Sequence, residues 1–191
     1  MKLMTFFLGL MFFIHLAMVI YLLVSPQRMG NEIHDKRSDP FFSFLNVFLA
    51  YIPIFGTQLW GLGQRWIEPG NPFLIVTGGI FFFLGTILRL YAIKTLGRFF
   101  TMEIGTREGH QMIQSGPYKF IRHPSYTGYF LMILGMGVAY QNLYAFLIPL
   151  LQIGIFFTKR IPQEEKMLSQ KFGGEYSSYQ KRTKKLIPWV Y

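Results

Sequence analysis

Gly116-Pro117-Tyr118-Lys119-Phe120-Ile121-Arg122-His123-Pro124-Ser125-Tyr126-Thr127-Gly128 is a short basic cassette with two turn signals. Apolar runs of membrane-helix character flank it on both sides. Gly116-Pro117 marks one turn. Pro124 fixes its own φ and biases His123 toward an extended backbone, so the chain is stiff where Arg122 and His123 are displayed. Such a backbone can present N–H and C=O groups to a ligand, with Tyr118 and Tyr126 as aromatic walls and hydroxyl donors. A plain re-entry loop with interfacial tyrosines and a snorkelling arginine would have the same composition.

Working outward, Thr127–Ala139 and Leu143–Thr158 are apolar and are joined by Tyr140-Gln141-Asn142, a pattern that predicts a tight helical hairpin. Upstream, Pro72–Ile93 reads as a span whose Gly78, Gly79 and Gly85 permit close helix contact. Phe41–Trp60 reads as another, kinked at Pro53 and ending on an interfacial tryptophan. Leu3–Val24 has the length of about 20 residues that crosses a bilayer, too long for the apolar core of a signal peptide and followed by no small-residue cleavage site. His15 within it reads as a polar residue packed against other helices. The expectation is an all-α, polytopic integral membrane protein with about five transmembrane helices. Residues 1–191 form a single domain in this reading, with three N-terminal spans in 1–93 and a ligand-binding core with the hairpin and tail in 94–191.

The composition agrees. Of 191 residues, 51% are apolar and 18% aromatic, with 21 Phe, and only 15% are charged. Soluble domains carry about 25% charged residues, so the deficit points to lipid contact. The absence of Cys excludes disulfides, thiolate metal sites and a cysteine nucleophile. The four His (15, 34, 110 and 123) have no ligand spacing, and no metal is expected. The net charge of +10 lies in loops and toward the C-terminus, which suits anionic lipid headgroups and not nucleic acid.

With five spans, one side of the bilayer receives the 25–40 loop, the 94–126 stretch and everything from Lys159 onward, including Arg28, Lys36, Arg37, Lys94, Arg98, Arg107, Lys119 and Arg122. Setting aside Arg89 inside the third span, the other side receives Lys2 and Arg65. The positive-inside rule places the N-terminus outside and both the cassette and the tail in the cytoplasm.

A second polar cluster, Arg160-Ile161-Pro162-Gln163-Glu164-Glu165, follows the last apolar segment. Arg160 and Glu164 at i, i+4 share a helix face and can pair, while Glu165 points about 100° further round. An exposed Arg–Glu–Glu group ending a span is the plain alternative. Phe172-Gly173-Gly174 is a helix stop, and Tyr176 and Tyr179 follow at i, i+3. Lys184-Lys185-Leu186-Ile187-Pro188-Trp189 places basic residues beside apolar ones, as in a segment lying on a membrane surface.

These residues carry a resemblance. His110-x-Met-Ile-x-x-Gly116-x-Tyr118, then Arg122-His123-Pro124-x-Tyr126-x-Gly128, then Arg160-x-x-x-Glu164-Glu165, Phe172-Gly173-x-x-Tyr176-x-x-Tyr179 and Leu186-Ile187-Pro188 resemble the isoprenylcysteine carboxyl methyltransferase family, itself similar to the phospholipid N-methyltransferases. Met112-Ile113 stand where Leu-Val is usual. Lys185 stands where Arg is common, and an ammonium lacks the bidentate grip of a guanidinium. The resemblance implies an S-adenosyl-L-methionine-dependent enzyme with a lipophilic acceptor that arrives from the bilayer. It implies that His110, Gly116, Tyr118, Arg122, His123, Pro124 and Tyr126 build the cofactor pocket and that Glu164 and Glu165 close it. Arg160 would lie at the methyl acceptor, with Glu164 orienting it.

The favoured acceptor is an isoprenylcysteine-like carboxylate, for which no general base is needed. An aminophospholipid would need one, and Glu164 or Glu165 is then the candidate. Membrane sterol reductases have a related C-terminal half and bind NADPH, but carry Asn at the position of Ser125. A small transporter or scaffold would place polar residues at mid-membrane, where only His15 and a few hydroxyls or amides stand here.

Overall fold

The computed structural model describes residues 2–24, 56, 71–101, 104–105 and 109–188. Among them the regular elements are helical: α1 (Lys2–Val24), α2 (Pro72–Leu96), α3 (Pro124–Tyr140), α4 (Leu143–Ile155), α5 (Ile161–Phe172) and α6 (Gly174–Arg182). Short 3-10 turns occupy Gly97–Phe99 and Gly116–Lys119, and a π-turn, Phe156–Arg160, joins α4 to α5. The expected span at 41–60 with its Pro53 kink, the 25–40 loop and the connector at 61–70 lie outside the described residues. Among the described residues two stretches are long and apolar enough to cross a membrane, Pro72–Phe99 and Leu143–Phe172, and the apolar part of α1, Phe6–Leu22, is shorter.

α2 begins where Pro72 occupies the first turn and the Asn71 side chain accepts a hydrogen bond from the Phe73 N–H at 3.0 Å. It then packs along α3, and the contact is made by glycines. A Cβ placed on Gly78 would lie 2.5 Å from the Gly135 carbonyl oxygen, and one on Gly128 would lie 2.6 Å from the Gly85 oxygen and the Arg89 nitrogen. Two helical backbones meet that closely only where neither carries a side chain. Phe82, Met132, Ile133 and Met136 fill the core around this seam.

The expected hairpin between α3 and α4 forms as a tight reversal. Gln141 adopts a left-handed backbone (φ 51°), and Asn142 caps α4 by accepting from Tyr144 N and Ala145 N at 3.0 and 3.1 Å. Gln141 also exchanges hydrogen bonds with Asn71 at 2.9 and 3.1 Å, which ties the hairpin to the start of α2 at one end of the bundle.

The cassette and the charged cluster occupy the other end. The sequence predicts an uninterrupted apolar segment to Thr158 there, and instead α4 widens into the π-turn. Pro162 explains it. The proline has no N–H to donate to the Thr158 carbonyl and its ring crowds that oxygen, so the ladder resets with Ile161 N–H bonding to Phe156 O. Beyond α6 the chain returns to the cassette. Arg122 N and His123 N donate to Lys184 O and Lys185 O at 2.8 and 3.0 Å, and Lys184 N donates to Phe120 O at 3.2 Å. Ile121 and Lys184 form an isolated parallel bridge. The stretch expected to lie on a membrane surface therefore also pairs with the cassette backbone.

Candidate active site

The helix ends, the cassette and α5–α6 enclose a cavity of about 1470 Å³ of space free of atoms, its mouth included. Seven of the sequence-predicted residues line it: His110, Tyr118, Arg122, His123, Tyr126, Arg160 and Glu164. Gly116, Pro124 and Glu165 do not, and each serves the wall from behind. Gly116 takes φ 56°, and a Cβ there would lie 3.1 Å from the Thr95 and Tyr91 hydroxyls. Pro124 opens α3 with its ring fully buried.

Glu165 is the hub of an ionic cluster beside the cavity. Its Oε1 lies 2.8 Å from Arg122 Nε and 3.3 Å from His123 Nε2, and its Oε2 lies 3.8 Å from Lys185 Nζ. The Arg122 guanidinium also donates to the carbonyls of Gln180 and Thr183, which fastens α6 to the cassette. Glu164, one residue earlier, turns to the cavity, and its Oε1 stands 3.8 Å from His123 Nδ1. His123, 4% exposed, is thus held between two neighbouring carboxylates.

Arg160 and Glu164 are linked as the i, i+4 spacing predicts, but with an intermediary. Arg160 Nε donates to the Tyr126 hydroxyl at 2.9 Å, and that hydroxyl donates to Glu164 Oε2 at 2.6 Å. The Arg160 guanidinium lies 5.5 Å from the Phe156 ring centroid and 5.9 Å from that of Tyr126. A cation in that position is held by ring faces and a phenol, and its geometry is fixed by packing.

Arg89 is the feature that the sequence reading passed over. An ionisable residue within an apolar span is itself a functional signal. Here it lines the cavity, its guanidinium 4.9 Å from the Tyr129 ring centroid, its Nη1 donating to the Ser125 carbonyl at 3.1 Å and placed 3.4 Å from the Ser125 hydroxyl. Its Nε is buried without a hydrogen-bond partner, and no carboxylate among the described residues pairs with it. His15 also lines the cavity, its Nδ1 donating to the Met136 sulfur at 3.1 Å, so it is packed as expected and faces the cavity as well.

Also lining the cavity, Phe99 stacks on His110 with centroids 4.9 Å apart, and Phe172 meets the same imidazole edge-on at 5.7 Å. Tyr179 donates to the Tyr118 carbonyl at 2.7 Å. Tyr176 is 1% exposed and its hydroxyl has no partner. Burial pushes the hydroxyls of Tyr118, Tyr176 and Tyr179 well above the ordinary value of 10, with the negative charge of Glu164 adding to the effect at Tyr118 and that of Glu165 at Tyr176. All three keep their protons at neutral pH.

Residues 77–170 match the model of the Isoprenylcysteine carboxyl methyltransferase (ICMT) family. Protein-S-isoprenylcysteine O-methyltransferase B of Arabidopsis thaliana is 36% identical over 132 residues, covering 68% of this chain and 64% of the plant protein. The Schizosaccharomyces pombe protein-S-isoprenylcysteine O-methyltransferase is 33% identical over 112 residues, 58% of this chain and 48% of the yeast protein. Among solved structures, the eukaryotic intramembrane Ras methyltransferase ICMT superposes with a TM-score of 0.60 and 26% identity, over 80% of this chain and 54% of that one. Over this region the chain is similar to the isoprenylcysteine carboxyl methyltransferase family. It spans less than two thirds of the length of these relatives.

Proposed function

We propose that this chain is a multi-pass integral membrane methyltransferase that uses S-adenosyl-L-methionine to esterify the carboxylate of an isoprenylcysteine-like acceptor. The observation that carries the choice of a carboxylate is Arg89, a half-buried guanidinium that faces the cavity with its Nε buried and with only neutral hydrogen-bond partners among the described residues. A largely desolvated cation with no carboxylate among its described partners calls for an anionic ligand. Arg160, 6% exposed in the same cavity, gives a second cation on that side.

The residues present suit the cofactor. The Tyr176 hydroxyl is a buried donor lacking an acceptor, and Glu164 can receive an ammonium group. Phe99, His110 and Phe172 form an aromatic wall for a base. In this reading His110, Tyr118, Arg122, His123 and Tyr126 hold the cofactor together with Glu164. Glu165, Gly116 and Pro124 support them from behind the wall. When bound, the cofactor supplies a sulfonium methyl that the carboxylate oxygen takes directly, the C–S electron pair returning to sulfur with no proton transferred. The protein's part is alignment and dryness. Arg160 and Arg89 orient the carboxylate, and the Tyr126 hydroxyl fixes the angle of Arg160. Phe130, Tyr129 and Phe156 exclude water around them. An amine acceptor would place an ammonium precursor against Arg89, which like-charge repulsion disfavours. An NADPH-dependent reduction has no feature of the cavity in its favour.

The same reading places about five spans in the bilayer with the cavity on the cytoplasmic side, supported by the basic residues of the cassette and tail. Purified protein in lipid nanodiscs should transfer a labelled methyl from S-adenosyl-L-methionine to farnesylated cysteine, and the product should release labelled methanol in alkali. A base-stable label on phosphatidylethanolamine in its place would make the chain an N-methyltransferase.

A further inference from the structure

Gln152 lies in α4, on a helix whose Leu147, Leu150 and Leu151 are exposed, yet Gln152 itself is fully buried. A primary amide inside a candidate membrane-spanning segment is costly to bury and marks a place where a polar contact is required. Gln152 Nε2 donates to the Tyr129 hydroxyl at 2.9 Å. The ring of Tyr129 lies beneath the Arg89 guanidinium, and Ser125, one turn earlier on α3, receives the edge of the same guanidinium. Ser125 and Tyr129 at i, i+4 share one helix face and grip Arg89 from two sides. Gln152 does not line the cavity, and its contact on that side is the phenol.

We propose that Gln152 is a positioning residue: through the Tyr129 hydroxyl it holds the tyrosine ring in the place where Arg89 meets the acceptor carboxylate. This inference rests on the carboxyl-methylation reading and deepens it. α4 thereby takes part in acceptor binding without touching the acceptor. A phenol without this tether can rock about its Cα–Cβ bond, and the guanidinium above it follows. Acceptor recognition suffers while the cofactor wall, built from His110, Tyr118, Phe172 and Tyr176, stays as it was.

The test is a double-mutant cycle on the full chain in nanodiscs, with Gln152→Met, Tyr129→Phe and the pair combined. Steady-state kinetics with farnesylated cysteine give KM and kcat, and calorimetry with S-adenosylhomocysteine gives cofactor-site affinity. Each single variant should lower kcat/KM for the acceptor by roughly 10-fold, chiefly through KM, and leave cofactor-site affinity unchanged. The double variant should be no worse than either single one, because both remove the same link. Tyr129→Phe keeps the ring and its packing, so it reports even where Gln152→Met folds poorly. Additive losses, full activity in both single variants, or affinity for S-adenosylhomocysteine falling in step with activity would each overturn the role. Absence of any base-labile ester from the unmodified protein would overturn the functional reading and this role with it. An unchanged kcat/KM for the acceptor in Gln152→Met would remove this role alone.

Discussion

Arg122 Nε and Glu165 Oε1 lie 2.8 Å apart beside the cavity, and this contact joins the cassette to the helix that follows the last apolar segment. The adjacent Glu164 faces inward. Two neighbouring carboxylates therefore do different work.

Glu165→Ala should destabilise the protein by about 2 kcal/mol, because Arg122 and His123 lose the partner they share. Glu164→Gln should change stability by less than about 0.5 kcal/mol and lower methyl transfer by ~10-fold or more. Thermal melting of ligand-free protein and a methanol-release assay separate the two. Equal melting temperatures for both variants would contradict the division.

Arg160→Ala should lower transfer by ~100-fold while cofactor affinity changes little, the scale for a lost positioning group in a dry site. Arg160→Lys should rescue poorly, since an ammonium cannot span the rings and the Tyr126 hydroxyl as a planar guanidinium does. His123→Ala should instead weaken binding of S-adenosylhomocysteine. The roles are reversed if calorimetry finds cofactor binding lost in Arg160→Ala and intact in His123→Ala.

Tyr176→Phe removes a buried hydroxyl that has no partner. Ligand-free protein should melt at the same temperature or higher, by up to about 1 kcal/mol of stability. Stabilisation by S-adenosylhomocysteine should shrink, because the bound state loses a hydrogen bond. A lower melting temperature without ligand would show that the hydroxyl is satisfied within the protein.

Glycines divide by their surroundings. Gly135→Leu drives a side chain into the Gly78 carbonyl, which a built Cβ already approaches to 2.6 Å, and should cost about 3 kcal/mol or prevent accumulation. Gly154 in α4 has no neighbour within 4 Å of a built Cβ, and Gly154→Ala should be neutral or stabilising by up to about 1 kcal/mol. Expression level and melting temperature read both.

Single cysteines placed in this Cys-free chain report topology. In intact cells an impermeant thiol reagent should label a cysteine at 61–70 and leave one at Lys119 unlabelled. The opposite pattern would invert the orientation.

The helical character and the convergence of the two polar clusters were legible because each rests on local signals: long apolar runs, Gly116-Pro117, Pro124, Phe172-Gly173. Contacts made across the bundle were not. Nothing local tells that Tyr126 stands between Arg160 and Glu164; the spacing sets Glu165 about 100° from Glu164, but which of the two faces the cavity depends on how far α5 is rotated. Arg89 was legible in principle as a charge within an apolar span, but its part depends on Gly85 and Gly128 bringing α2 and α3 close enough for Ser125 to reach it. The return of the tail to the cassette is not legible in sequence, because backbone pairing at Phe120, Arg122 and His123 leaves no side-chain pattern.

The π-turn at Phe156–Arg160 acts as a phase-setter for everything after it. It holds one residue more than an α-turn would, and each residue of an α-helix advances the azimuth by about 100°. Deleting Thr158 would leave the π-turn in place, because Pro162 still lacks the N–H of an α-turn, and would swing the α5 side chains round by that amount relative to α4, so that Glu165 would approach the azimuth now held by Glu164. Because composition and hydropathy would hardly change, such a deletion is invisible to any profile of the chain. Relatives that differ by one residue between the last apolar run and this proline would therefore present a different carboxylate to the same cavity.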